Sequence, residues 1–187
     1  MAPKQKITRD QIVEGAFSFV RENGADALKA RELSQYLHCS TQPIFSNFSG
    51  MSELRQCVIR SAIALCDRFL QTDKTGLEAS LEMGIGYLRF ANEERNLFRL
   101  LFLNSRDEMK SIGINCSEYK TQEIMRRILG EADEKTSLLH LEMWVSVHGI
   151  ASMLSTGYIN WEDGKFKKVL SDIFYALTDR YGNPGES

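Results

Sequence analysis

Thr41, Gln42, Pro43 and Ser46 crowd the start of a short amphipathic segment, and they are residue types that read base edges. A glutamine amide can bridge N6 and N7 of adenine, and an apolar ring such as that of Pro43 can touch a thymine methyl. Lys4, Lys6 and Arg9 precede or open one upstream helix, and Lys29 with Arg31 opens another, both places where cations and helix N-termini meet phosphates. A second group, Tyr87, Phe98, Phe102, Tyr119, Trp144 and His148, offers aromatic walls with a few polar handles, the usual lining of a small-molecule effector pocket. At helical spacing the same residues would also pack a solid core. His148, alone on an apolar helix face, reads as a hydrogen-bonded core histidine rather than a metal ligand or base. Catalytic patterns are missing: there is no H-E-x-x-H, G-x-S-x-G or P-loop, and three histidines stand far apart. Four cysteines show no C-x-x-C pair and no metal-ligand spacing, so they read as reduced, mostly buried thiols. No enzyme, metal or cofactor is expected.

The base-reading residues need a rigid platform, and the stretch Ala30–Leu54 supplies its outline. Leu33 and Leu37 share one face of a short helix, with Arg31, Glu32 and Gln35 turned away. His38, Cys39 and Ser40 leave room only for a tight turn. Ser40 is the expected N-cap of the next helix, bonding the amide of Gln42, with Pro43 in the first turn and Ile44, Phe45 and Phe48 on the apolar side. Upstream, Thr8 and Gln11 form a capping box, Ile7 and Ile12 a hydrophobic staple, and Gly24 closes a helix over Thr8–Asn23. Three short helices of this kind make a helix-turn-helix head over residues 1–50.

This head resembles that of the tetracycline-repressor-like (TetR/AcrR) bacterial transcription regulators. Their pattern runs Leu-Ala-x-x-x-Gly-Val-Ser, then Leu-Tyr-x-His-Phe-x-x-Lys-x-x-Leu. Leu33-Ser34 and His38-Cys39-Ser40 match the first part loosely, and Ile44-Phe45-Ser46-Asn47-Phe48 and Leu54 match the second in register. His38 stands for the turn glycine, and histidine tolerates the left-handed conformation better than most residues. Phe45 stands for a tyrosine and Met51 for a lysine that both bond phosphates. Asn47, in the slot of a phosphate-binding histidine, still carries a donor. Trp144-Val-Ser-Val-His148-Gly149 further resembles the Trp-x-x-x-His-Gly signature of one C-terminal subgroup, as does Phe98-Arg99-Leu100-Leu101-Phe102. The resemblance implies a dimer on a palindromic double-stranded operator, paired through its last two helices, whose body binds a small effector.

Beyond residue 50 strand signals are nearly absent, and prolines occur only at positions 3, 43 and 184. The fold expected is all-α: a three-helix head followed by a helical ligand-binding and dimerisation bundle over 51–187, about nine helices in total. Helices are expected over Gly50–Gln71, Leu77–Ala91, a deeply buried Asn92–Leu103, Ser117–Leu129, Thr136–Thr156 and Asp163–Tyr181, with Asn104–Asn115 the least structured part. Gly84-Ile85-Gly86 reads as close helix packing, since no strand precedes it and the third glycine of a phosphate loop is missing. The whole chain carries 23 basic and 25 acidic side chains, net −2, but residues 1–60 hold 8 and 6 and the rest 15 and 19. A weakly positive head on an acidic body suits DNA contact at one end. With no signal peptide and no apolar run near the ~20 residues a bilayer needs, the expectation is a cytoplasmic protein. The reading is therefore a DNA-binding repressor released by an effector. The alternative, suggested by Phe45 and Met51, is a helical ligand-binding or adaptor module with weakened or lost operator affinity.

Overall fold

The computed structural model describes residues 7–103 and 137–181, all helical where regular. Lys4, Lys6, Cys116, Tyr119, the segment Asn104–Asn115 and the helix expected over Ser117–Leu129 lie outside the described residues. Eight helices appear among those described: α1 (Arg9–Asn23), α2 (Ala30–Tyr36), α3 (Gln42–Asn47), α4 (Met51–Phe69), α5 (Gly76–Glu93), α6 (Arg95–Phe98), α7 (Ser137–Ser155) and α8 (Asp163–Tyr181).

The head is built as its local signals dictate. Thr8 and Gln11 close a reciprocal capping box on α1, whose inward stripe is Ile12, Ala16, Phe19 and Val20. Gly24 ends it with a φ of +85°, its amide donating to the Val20 carbonyl. His38 takes the left-handed backbone, φ +51°, between α2 and α3. Ser40 is not the cap of α3. Thr41 occupies that position, already in helical backbone and without a side-chain cap bond. Pro43 explains the absence: it removes one of the two amides a cap would serve, and the other, Ile44 N, already donates to the Thr41 carbonyl at 3.1 Å. Glu32 is half-buried rather than turned away, one of its carboxylate oxygens being shut off from solvent.

α4 leaves the head through Leu54 and enters the body with Val58, Ala62, Cys66 and the following Leu70 buried. α5 is the most enveloped helix of the body. It packs against α4, α6, α7 and α8, with Gly84 through Leu88, Phe90 and Ala91 all buried. Gly86 is where α5 meets the end of α4: a Cβ there would lie 1.9 Å from the Phe69 carbonyl oxygen. At Gly84 a Cβ would lie 2.8 Å from Leu170 Cδ2 on α8. The glycine pair thus serves close packing on two sides. The expected single helix over Asn92–Leu103 is instead broken. α5 runs on to Glu93, Glu94 interrupts it, α6 follows, and Arg99–Leu103 winds as a π turn. Leu97, Phe98 and Leu100 are buried, but Leu103 is 37% exposed. The break lies at Glu94, whose backbone leaves the helical region (φ −114°, ψ 49°) and whose buried carboxylate faces an arginine of the head.

Candidate DNA-reading face and aromatic cluster

Ile44 on α3 and Phe48, which ends it, point into the head and are buried, which turns Gln42, Phe45 and Ser46 outward on one face, at i, i+3 and i+4. Thr41, Pro43 and Asn47 flank that face half-buried, and Ser40 is exposed in the preceding turn. The Ser46 hydroxyl donates to the Gln42 carbonyl at 2.5 Å, and Asn47 Nδ2 donates to the Pro43 carbonyl at 2.8 Å. Two polar side chains of the helix are therefore tied to its own backbone, whereas Gln42 stands free in solvent. Lys29 and Arg31 are exposed at the start of α2.

Arg9 has a different role. Its Nη2 donates to Glu53 Oε1 at 2.8 Å, and its guanidinium lies 4.6 Å from the centroid of the Phe48 ring. Glu53 also accepts from the amide and hydroxyl of Ser49, at 2.8 and 2.9 Å. The Ser49 amide first, then Arg9, hold the Glu53 carboxyl down at about 2. This cluster pins the start of α4 to α1 beside Phe48, the residue that ends α3. Sequence reasoning missed it, although a serine four residues before a glutamate at a helix start was the available signal. Met51, in the lysine slot, is half-buried against the core.

Five of the six aromatic candidates meet in the body. Tyr87 packs edge-on against Phe98 and Phe102, with ring centroids 5.4 and 5.2 Å apart. Trp144 and His148, one turn apart on α7, stack at 4.4 Å and lie against Tyr87. Tyr87 Oη is 3.1 Å from His148 Nδ1. Burial pushes the tyrosine well above its ordinary value and the histidine below its own, so both stay neutral near pH 7. The hydroxyl then donates when Nε2 carries the ring proton. Tyr87 and Phe98 are buried, whereas Phe102, Trp144 and His148 are half-buried and form the accessible side. A surface groove of about 600 Å³ lies elsewhere, between the end of α4, α5 and α8, lined by Phe69, Ile85, Gly86 and Tyr175 among others.

Head and body are also joined away from α4. Arg21 Nε donates to Glu94 Oε2 at 2.6 Å, and a second guanidinium nitrogen bonds Oε1, a two-pronged pair on a carboxylate only 4% exposed. Asn96 Nδ2 donates to the carbonyls of Arg21 and Glu22 at 3.0 and 3.2 Å, satisfying the last turn of α1. No local signal pairs residues 73 apart. Further along the same short element, Phe98 belongs to the aromatic cluster.

α7 turns Leu139, Met143, Val147, Ile150 and Leu154 into the core and Leu138, Leu141 and Val145 out to solvent, the last 60% exposed. Gly149 continues that outer stripe, with nothing within 4 Å of where its Cβ would be. Tyr181 Oη donates to Glu142 at 3.0 Å and fastens the end of α8 to α7.

No helix among the described residues is long and apolar enough to cross a membrane. No curated protein matches the chain. A family model described as tetracyclin repressor-like, C-terminal domain, matches residues 81–177, a span that holds α5 from Leu81, the aromatic cluster and most of α8. On that match, covering more than half of its 187 residues, the chain belongs to the tetracyclin repressor-like regulators.

Proposed function

We propose that the chain is a sequence-specific DNA-binding transcriptional repressor, released from its operator by a small molecule and acting in a bacterial cytoplasm as a homodimer. The observation that carries this reading is the outward face of α3, Gln42, Phe45 and Ser46, on a helix-turn-helix whose other side is sealed by Ile44 and Phe48. Lys29 and Arg31 flank it as phosphate contacts, with Thr41, Pro43 and Asn47 beside the groove. The exposed stripe Leu138, Leu141, Val145 and Gly149 supports pairing through α7 and α8, since contiguous apolar surface of this kind marks interfaces. Stacking of Trp144 on His148 beside Gly149 supports placement in the Trp-x-x-x-His-Gly subgroup. An effector would enter the cluster from the side of Phe102, Trp144 and His148 and part rings now in contact.

Gel shift on a duplex selected from a random pool tests the reading. Gln42→Ala should relax sequence preference by roughly 1–3 kcal/mol, and Lys29→Ala should weaken all duplexes alike. Val145→Asp should yield a monomer by light scattering. The second reading, an effector-binding module with weakened operator affinity, is favoured by Phe45 and by the half-buried Met51. It predicts ligand binding with no duplex enriched.

A further inference from the structure

Phe45 is the one exposed large hydrophobic of the head among the described residues, 56% exposed, whereas Phe19 and Phe48 are buried and Tyr36 is half-buried. Among the described residues its ring belongs to no buried cluster. It stands on the outward face of α3 beside Gln42, at i and i+3. Having no hydroxyl, it cannot bond a phosphate. Ser46 and Asn47 are polar and turned back on the backbone, and Pro43 is half-buried at the edge of the face, so Phe45 presents its largest apolar surface.

We propose that Phe45 is a specificity-determining residue that reads the 5-methyl group of a thymine in the major groove. That methyl is the one apolar group on a major-groove base edge, and phenyl rings pack on it. The inference rests on the DNA-binding reading above. Three residues of helix span about 4.5 Å and one base-pair step about 3.4 Å, so the thymine lies within two base pairs of the base read by Gln42.

The test uses the full chain and a duplex it selects from a random pool. Each thymine of the selected site is replaced in turn by uracil, which removes only the methyl. Burying one methyl is worth about 0.8 kcal/mol, so one thymine per half-site should lose about fourfold in affinity on replacement. In Phe45→Ala the same replacement should change nothing, and the Gln42→Ala footprint should lie within two base pairs of it. Because Phe45 is exposed, Phe45→Ala should keep the wild-type circular dichroism and melting temperature, which is checked alongside. If no thymine shows methyl dependence, or if Phe45→Ala shows the same dependence as the wild type, the proposal is overturned while the regulator reading stands. If no duplex is enriched at all, that reading falls and this inference falls with it.

Discussion

Gly86→Ala puts one methyl where α5 touches the end of α4, and its effect can be worked from the geometry. The new Cβ would lie 1.9 Å from the Phe69 carbonyl oxygen, 2.9 Å from its carbon and 3.6 Å from Leu70 Cα. An ordinary carbon–oxygen contact is about 3.3 Å, so the two helices must part by roughly 1.4 Å. The obstacle is backbone and cannot rotate aside. Parting the helices loosens the Phe69–Phe90 edge contact at 5.5 Å and uncovers Leu70, which is now fully buried. Overpacking of this kind costs about 1–3 kcal/mol, and an unyielding neighbour places it at the upper end. Against this, alanine gains about 1 kcal/mol over glycine inside a helix. The net is a loss of about 2 kcal/mol, or about 4–8 °C in melting temperature for a chain of this size. Gly164→Ala, on α8 with nothing within 4 Å of the new Cβ, feels only the propensity gain and should melt at or slightly above the wild type. Thermal unfolding followed by circular dichroism decides the matter. A Gly86→Ala protein as stable as Gly164→Ala would refute the claim that the approach of α4 and α5 is set at this glycine.

Three further outcomes are expected. Arg21→Ala should cost roughly 1–3 kcal/mol in chemical denaturation, less than a fully buried pair because Arg21 is half in solvent, and adding Glu94→Gln should recover part of the loss. Glu53, held at about 2 against an ordinary 4.5, contributes stability that is fully present above pH 4.5 and is lost as pH falls toward 2; acid titration of Glu53→Gln should lack that component. His148, lowered from 6.5 by burial, favours the fold while neutral. Stability should thus decline as pH falls below 6.5, and a His148→Gln variant whose melting curve keeps the same decline would exclude this histidine as its source.

What was legible in the sequence was what neighbours along the chain decide. The capping box of Thr8 and Gln11, the left-handed His38 and the long amphipathic α4 each announce themselves within a few residues. The glycine pair Gly84 and Gly86 likewise signals close packing without naming its partners. Ser40 has the residue type of a cap, but the cap position falls one residue later, at Thr41, whose side chain makes no cap bond because Pro43 lacks the amide. The break at Glu94 was hidden by the apolar run after it, and only Arg21, far upstream, explains a carboxylate turned inward there. The aromatic candidates were recognisable by type, but their meeting depends on Tyr87 and His148, 61 residues apart, being brought within hydrogen-bond reach.

The two-pronged bond of Arg21 to Glu94, with Asn96 on the carbonyls of Arg21 and Glu22, bears on how freely such heads can be exchanged between relatives. Cutting at residue 50 would strip the last turn of α1 of four hydrogen bonds to Glu94 and Asn96, as well as the Arg9–Glu53 bond at its start, and Ile12, Ala16 and Val20 belong to the same buried cluster as Leu97 and Phe98. A transplanted head is therefore incomplete unless residues 94 and 96 travel with it, or the recipient already carries a carboxylate and an amide at those places. Grafts made with them should melt in one transition, and grafts made without them in two.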